Sequence, residues 1–316
     1  MNRLKVLSQR LFSAGLLILC LVAAWSIGEA AEPVTPWEND VSLGVGVDFS
    51  TSRYGTHSRT ESLSIPVTLE WRPHKRFDIQ LSLPYIYQSN SITPAYVQSS
   101  ASDVTTAANS QFQQVKTVPA TGSQGKSGQA TPVGAMAGSG TGVPQLGQNS
   151  SQNGIGDMTL QVGFALIEEN LALPQLRVLG YCKFPTGDRD NWLGSGEFDE
   201  GVGLSLSKTY GDLALYLEGI WIFQGGSDFL VESGFTVKDY LNYYAEISYQ
   251  ATDMLVPALV LTGASPSSKE RGGTVEGRLK LSWRMSEHTS LQGYAGMGFT
   301  EASADMTAGV SFFYSF

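Results

Sequence analysis

Cysteine is almost missing from this chain: Cys20 and Cys182 are the only two in 316 residues. Cys20 falls in an N-terminal segment that reads as cleavable. The mature chain then keeps Cys182 alone and can close no intrachain disulfide. Histidine is scarce too, and His57, His74 and His288 all fall in expected loops or turns. With them go the zinc-ligand spacings, and there is no P-loop and no nucleophile elbow. Charged residues make up 16%, against roughly 25% in a soluble globular domain. Long apolar runs are absent after residue 30, which excludes a membrane-spanning helix from the mature part. A formal net charge of −9 argues against a nucleic-acid surface.

What is present is glycine (35 residues), aromatic side chains (14 Phe, 13 Tyr, 6 Trp) and a period of two. From Gly154 to Thr186 the chain reads GIGDMTLQVGFALIEENLALPQLRVLGYCKFPT. Met158, Leu160, Val162, Phe164 and Leu166 alternate with Asp157, Thr159, Gln161, Gly163 and Ala165; the alternation resumes at Leu176–Phe184, with Arg177, Leu179, Tyr181 and Lys183 on the second face. A period of two marks a strand whose faces meet different surroundings, and about ten residues is the length of a tilted strand crossing a bilayer. Similar runs occupy 41–49, 61–72, 77–87, 201–208, 213–223, 239–250, 254–262, 274–285, 289–299 and 305–316. The run at 254–262 is the weakest, because Pro257 interrupts the ladder and both faces are apolar. The pattern predicts an all-β fold: a transmembrane, antiparallel up-and-down β-barrel of about 12 strands.

The N-terminus carries Arg3, Lys5 and Arg10, then the apolar stretch Leu11–Trp25, then Gly28-Glu29-Ala30. This is the pattern of a signal peptide at 1–30, with the barrel at 31–316. Cleavage after Ala30 removes three basic groups and one acid, leaving 17 basic and 28 acidic groups, a formal −11. Residues 90–153 are rich in Ser, Ala, Gly, Gln and Thr with no apolar period, and are expected to be a long disordered outer loop. With the N-terminus in the periplasm, the short turns at 72–75, 209–212, 251–253 and 285–288 all follow even strands. The loops at 50–59, 90–153, 186–198, 224–237 and 263–273 all follow odd ones. Outer-membrane barrels sort their connections in this way, with longer extracellular loops. The connections at 168–174 and 300–304 blur the contrast. The chain ends Val310, Phe312, Tyr314, Phe316 on one face, and a terminal aromatic closing the last strand resembles the signal read by the barrel-insertion machinery. The expected location is the bacterial outer membrane, with its lipid as a partner.

Gly154-Ile155-Gly156-Asp157, then Phe184-Pro185-Thr186-Gly187-Asp188, then Leu193-Gly194-Ser195-Gly196 follow one another in an order that resembles the family named for the meta-pathway of phenol degradation. The resemblance covers most of 154–316 and extends, more weakly, to 41–89. It implies an outer-membrane channel for small, aromatic or hydrophobic, molecules, with no cofactor.

Alternation turns Glu70, Arg72, Asp78, Asp157, Arg177, Tyr181, Lys183, Tyr216, Glu218, Tyr244, Glu246, Glu276, Arg278, Lys280, Arg284 and Tyr294 towards the lumen. These are the candidate substrate-pathway residues. They either line a selective passage or pair with one another and fill it. Basic groups gather on 274–285 and acidic ones on 213–250, an arrangement that would set a transverse field. Asp188, Asp190, Glu197, Asp199 and Glu200 form an acidic patch with hard oxygen donors, a weak Ca²⁺ candidate without EF-hand spacing. No catalytic residue is assigned. Two other readings stay open: a structural or adhesive surface protein working through 90–153, and a barrel-embedded hydrolase using His57 and Ser58.

Overall fold

The alternating runs become the wall of a closed antiparallel barrel. In a computed structural model, residues 40–52, 60–89, 151–188, 193–226, 236–268 and 272–316 are described. The signal segment, the 90–150 stretch, His57, Ser58 and Asp190 lie outside them. The strands are β1 (Asp40–Ser52), β2 (Thr60–His74), β3 (Phe77–Ser89), β4 (Gln152–Ile155), β5 (Met158–Ile167), β6 (Gln175–Phe184), β7 (Asp199–Tyr210), β8 (Leu213–Phe223), β9 (Tyr240–Tyr249), β10 (Leu255–Ala264), β11 (Thr274–Arg284), β12 (Thr289–Gly298) and β13 (Met306–Ser315). Each pairs antiparallel with its sequence neighbour, β3 with both β4 and β5, and β13 closes on β1 from Ser42↔Ser315 to Thr51↔Met306. The ring of long strands is thereby closed, as a bilayer requires, and the short β4 pairs with β3 alone.

Thirteen strands make twelve staves. The short β4 and the longer β5 run along the same side of β3, at Tyr85–Gln88 and Phe77–Ser82. Only Gly156 and Asp157 separate them, and the Gly156 N–H still donates to the Pro84 carbonyl at 2.9 Å. The sequence pattern starts this stave at Gly154; the structure starts it at Gln152, inside the expected loop, because pairing with β3 outweighs two polar side chains.

Outward faces are apolar: Leu43, Val45 and Val47 on β1, Leu213, Trp221 and Phe223 on β8, and Leu279, Leu281 and Trp283 on β11 are all exposed to the lipid side. Inward faces are mostly polar, with a minority of apolar side chains such as Ile220, Val260 and Phe313, and are closed off from solvent. Connections sort as expected, with a tight Gly211-Asp212 turn at one rim, where Gly211 takes φ 59°, a conformation only glycine adopts readily. That rim also holds the turns between β2 and β3, β9 and β10, and β11 and β12. By the rule for such barrels it faces the periplasm.

Pro257 does what its sequence position suggests. The β9–β10 ladder begins only at Ser248↔Ala258, so Pro257 pairs with Leu281 on β11 alone. Outside it, Pro257, Gly293 and Ala295 leave a shallow apolar groove of about 650 Å³, walled by Ile247, Leu259 and Leu279.

The seven-residue connection 168–174 is the long one on the short-turn rim. It is built, not slack. Asn170 Oδ1 accepts the N–H groups of Ala172 and Leu173, both at 2.9 Å. Lys208 Nζ donates to the carbonyls of Leu171 at 3.2 Å and Leu173 at 3.5 Å. Glu169 accepts the Thr209 N–H at 2.7 Å, and Glu168 accepts from Arg76 at 2.6 Å and from Lys75 at 3.2 Å. The two neighbouring acids titrate in opposite directions: the bond from Arg76 holds Glu168 below the usual carboxylate range, whereas burial raises Glu169 above it. On acidification, Glu169 is expected to take its proton first. The Glu168 clamp contributes above the ordinary carboxylate pKa and is lost only as the pH falls through its lowered value. Carboxyl-resolved infrared titration of Glu168→Gln and Glu169→Gln difference spectra checks the order.

Candidate functional site: the barrel interior

Parity along each strand decides who faces inward, and register decides whom they meet. Asp78 on β3 pairs with Gly163 on β5, and two positions further along β5, Ala165 pairs with Arg177 on β6. Gly163 has no side chain, so the Arg177 guanidinium crosses above it and forms an ion pair with Asp78. A Cβ at Gly163 would stand 2.8 Å from Asp78 Oδ2. The same construction recurs at Gly309, which sits between Tyr294 on β12 and Asp48 on β1. Across it the Tyr294 hydroxyl donates to Asp48 Oδ1 at 2.6 Å. A small inward residue therefore acts as a saddle for bonds between next-but-one strands. On β10, Ala258 pairs with Lys280 of β11 and Ser248 of β9, and Lys280 reaches diagonally across the strand to form an ion pair with Glu246, the β9 partner of Val260.

These bonds join into a belt through the middle of the barrel. The hydroxyls of Tyr216 and Tyr244 donate to Glu218 and Glu246, the residues two further along their own strands. Their rings meet edge to face, with centroids 5.9 Å apart. Arg278 donates to Glu276 at 2.8 Å and lies 5.6 Å over the Tyr294 ring. Asp78, Arg177, Glu218, Tyr244, Glu246, Glu276, Arg278 and Lys280 are all buried. Of the basic groups on β11, Lys280 pairs with Glu246 of β9 and Arg278 with Glu276 of its own strand, so part of the separated field expected from their positions in the chain is cancelled. Glu70 is also buried, on β2 near the short-turn rim. Arg284 lies at that rim, where it donates to the Asp253 carbonyl of the adjacent turn.

Nearer the long-loop rim the chemistry changes. Asp157 is buried, and its carboxylate gathers three segments: the Gly187 N–H at 2.9 Å, the Ser195 N–H at 3.1 Å and Lys183 Nζ at 3.3 Å. Lys183 also reaches Asp199 at 2.8 Å and the Ser195 hydroxyl at 2.7 Å. Thr186 accepts the Met158 N–H at 2.8 Å and donates to the Gly156 carbonyl at 3.1 Å. Glycine is required where the backbones touch the carboxylate: a Cβ at Gly187 would stand 2.6 Å from the Leu193 carbonyl, and one at Gly194 would stand 2.5 Å from Asp157. The result is that residues 193–199 fold into the barrel mouth. Leu193 is fully buried against Ile86 of β3.

Beside this latch lies an apolar patch on the inner wall: Leu179 and Tyr181 on β6, Ile220 and Ile222 on β8, and Tyr240 on β9, with Ala264 of β10 packed on it. The sequence reading took the interior as polar and left Ile220, Ile222 and Tyr240 out of the candidate pathway. A run such as Gly219–Phe223, apolar at both parities, was the available signal. Opposite, the inner faces of β13, β1 and β2 carry small hydroxyls, among them Ser42, Ser50, Ser62 and Ser311.

A family model described as "Putative MetA-pathway of phenol degradation" matches residues 88–316. The chain belongs to this family. In this phenol-degradation family barrel, the segments GIGD, FPTGD and LGSG meet in the three-way contact at Asp157. The barrel is that of a bacterial outer-membrane protein. Solved structures share the general shape at low identity. The translocator domain of the autotransporter NalP from Neisseria meningitidis is 10% identical, with TM-score 0.43, covering 98% of this chain and 97% of that one. The CymD monoaromatic hydrocarbon channel is 10% identical, with TM-score 0.40 and 89% of both chains covered. The Ralstonia pickettii toluene transporter TbuX is 8% identical, with TM-score 0.40 and 89% and 90% covered. A search of curated proteins gives no significant match.

Asp190 of the acidic patch lies outside the described residues, and the carboxylate of Asp199 is engaged elsewhere. Asp199 is taken up by Lys183 and by the Gly225 N–H at 3.0 Å, so an ammonium already stands between Asp157 and Asp199. Glu197 contributes backbone to the latch, and the Asp188 carbonyl accepts the Leu193 N–H at 2.8 Å. Among the described residues no three acidic, His or Cys side chains converge on one point. His74 and His288 both lie at the short-turn rim, where His288 Nδ1 sits 3.0 Å from the Ser315 carbonyl.

Proposed function

We propose that the barrel passes small, neutral, aromatic or hydrophobic molecules across the outer membrane by diffusion. One observation carries the reading: an apolar patch (Leu179, Tyr181, Ile220, Ile222, Tyr240) stands inside a mostly polar lumen, on the long-loop side. A channel for ions or sugars has no use for isoleucines on its inner wall. Packed out of water against one another, they form a dry apolar cluster that an apolar solute arriving from outside joins in preference to water. The family's tie to phenol degradation supports the aromatic class. Below the patch, the ion pairs Arg177–Asp78, Arg278–Glu276 and Lys280–Glu246 cancel much of the lumen charge, so electrical conductance is low even where uncharged molecules cross.

The test is uptake into proteoliposomes. A neutral phenol is expected to enter in a saturable way, with little accompanying single-channel current. Ile222→Ala should raise the half-saturating concentration by roughly tenfold, the value of a few buried methylenes. Absence of uptake above protein-free vesicles overturns the reading. A large, ohmic, weakly selective current would do the same, since it is the behaviour of a general pore.

A further inference from the structure

The 168–174 connection spends four sets of polar contacts to display two leucines. Leu171 is 48% exposed and Leu173 49%, and they continue from Leu166 (52%) and Ile167 (40%) at the end of β5. This apolar strip is continuous with the lipid-facing belt of the barrel. Clamped beside it is the β2–β3 turn. Lys75 and Arg76 share a single carboxylate, Glu168, and the side chains of both remain 44% exposed. The Arg76 N–H donates to His74 Nδ1 at 3.2 Å, which fixes the turn. Two cations against one acid leave a positive charge at a leucine-covered rim. The other connections of that rim carry Asp212, Asp253 and Glu287 instead.

We propose that the two clamped connections form a binding site for an anionic phospholipid of the periplasmic leaflet. Its phosphate lies against Lys75 and Arg76, and the upper part of its acyl chains lies against Leu166, Ile167, Leu171 and Leu173. The chemistry is that of an interfacial anchor: long cationic side chains reach the headgroup layer while the leucines enter hydrocarbon. Glu168 acts as a governor. It orients both cations towards the leucines and cancels part of their charge, so it limits how tightly the phosphate is held. The Asx turn at Asn170 and the carbonyl-capping Lys208 preorganise the leucines, so little ordering entropy remains to oppose binding.

The experiment uses the full chain with Cys182→Ser, reconstituted into phosphatidylcholine vesicles. A bimane fluorophore is attached at Leu171→Cys, and a control fluorophore at Met254→Cys on another short connection, where Met254 is 58% exposed. Phospholipids carrying a nitroxide on the upper acyl chain act as quenchers, with either a phosphatidylglycerol or a phosphatidylcholine headgroup. At position 171 the phosphatidylglycerol quencher is expected to be about fivefold more effective, the enrichment one uncancelled cation gives near an anionic headgroup. At position 254 the ratio should be close to one. Lys75→Gln with Arg76→Gln should bring the ratio at 171 to one, and Glu168→Gln should raise it. The idea is overturned if neither lipid quenches at 171, because the leucines then sit in water. It is also overturned if the ratio at 171 is one in the parent chain, or is unmoved by the Glu168→Gln and double-Gln changes. The fold of each variant is checked independently by its heat-dependent gel mobility, and uptake of a phenol is not involved in the readout.

Discussion

Asp157→Ala is expected to free residues 193–199 from the barrel mouth. The carboxylate it removes accepts the Gly187 and Ser195 N–H groups and faces Lys183, all in a buried setting. Deleting one member of a buried ion pair costs roughly 3–5 kcal/mol, because the partner and the backbone donors keep their desolvation cost without the bond. Lys183 retains Asp199 and Ser195, which places the cost near the lower end. The readout is local. In a Cys182→Ser, Leu193→Cys chain, position 193 is fully buried in the parent and reacts slowly with a membrane-impermeant maleimide. About 3 kcal/mol corresponds to roughly a hundredfold change in the opened population, and labelling should accelerate by that order. Equal labelling in both chains would mean that the segment is held by contacts other than the Asp157 carboxylate.

Glu246→Leu should be the most destabilising single change in the belt. Glu246 is the acceptor shared by the Tyr244 hydroxyl and the Lys280 ammonium, and all three are buried. Its loss is worth about 3–5 kcal/mol, whereas a half-exposed pair such as Lys75–Glu168 contributes roughly 1 kcal/mol or less. A second substitution discriminates between a broken charge pair and a cavity. Glu246→Leu combined with Lys280→Met replaces the pair by side chains of similar bulk, and such exchanges are often neutral or stabilising. Most of the lost stability should therefore return in the double variant. Urea unfolding in vesicles, followed by tryptophan emission, gives both numbers and their coupling. If the double variant is as unstable as the single one, the cost lies in packing around Tyr244 and not in the charge.

The wall of the barrel was legible in the chain, while the contents were not. A period of two states which side chains share a face, so the outward set on β8 or β11 and the inward Arg177, Tyr181 and Lys183 follow from counting. Counting the alternating runs gives the number of staves, and sorting the connections by length supports it. What period cannot give is register. Gly163 and Gly309 read as weak strand residues until Asp78, Arg177, Tyr294 and Asp48 are seen to meet above them. Nor does local pattern reveal a segment whose conformation is set by distant partners. Residues 193–199 look like solvated loop, yet Leu193 and Ser195 are buried by a carboxylate 38 positions away from Ser195. The motif carried the family and also the contact, but only the fold shows that its three pieces touch one another. Lys208 illustrates the same limit: on parity it is an ordinary β7 residue, and its partners are carbonyls of another turn.

The bond from Tyr294 to Asp48 links residues 246 positions apart, over Gly309 and across the seam where the last strand meets the first. Neither half of it can form while the sheet is still open, whatever order the other staves assemble in. Interactions absent from the transition state change the rate of unfolding and leave the rate of folding almost untouched. The bond is therefore a clasp fastened after closure. It governs how long a finished barrel lasts in the membrane, and it places a measure of that persistence in a single hydroxyl.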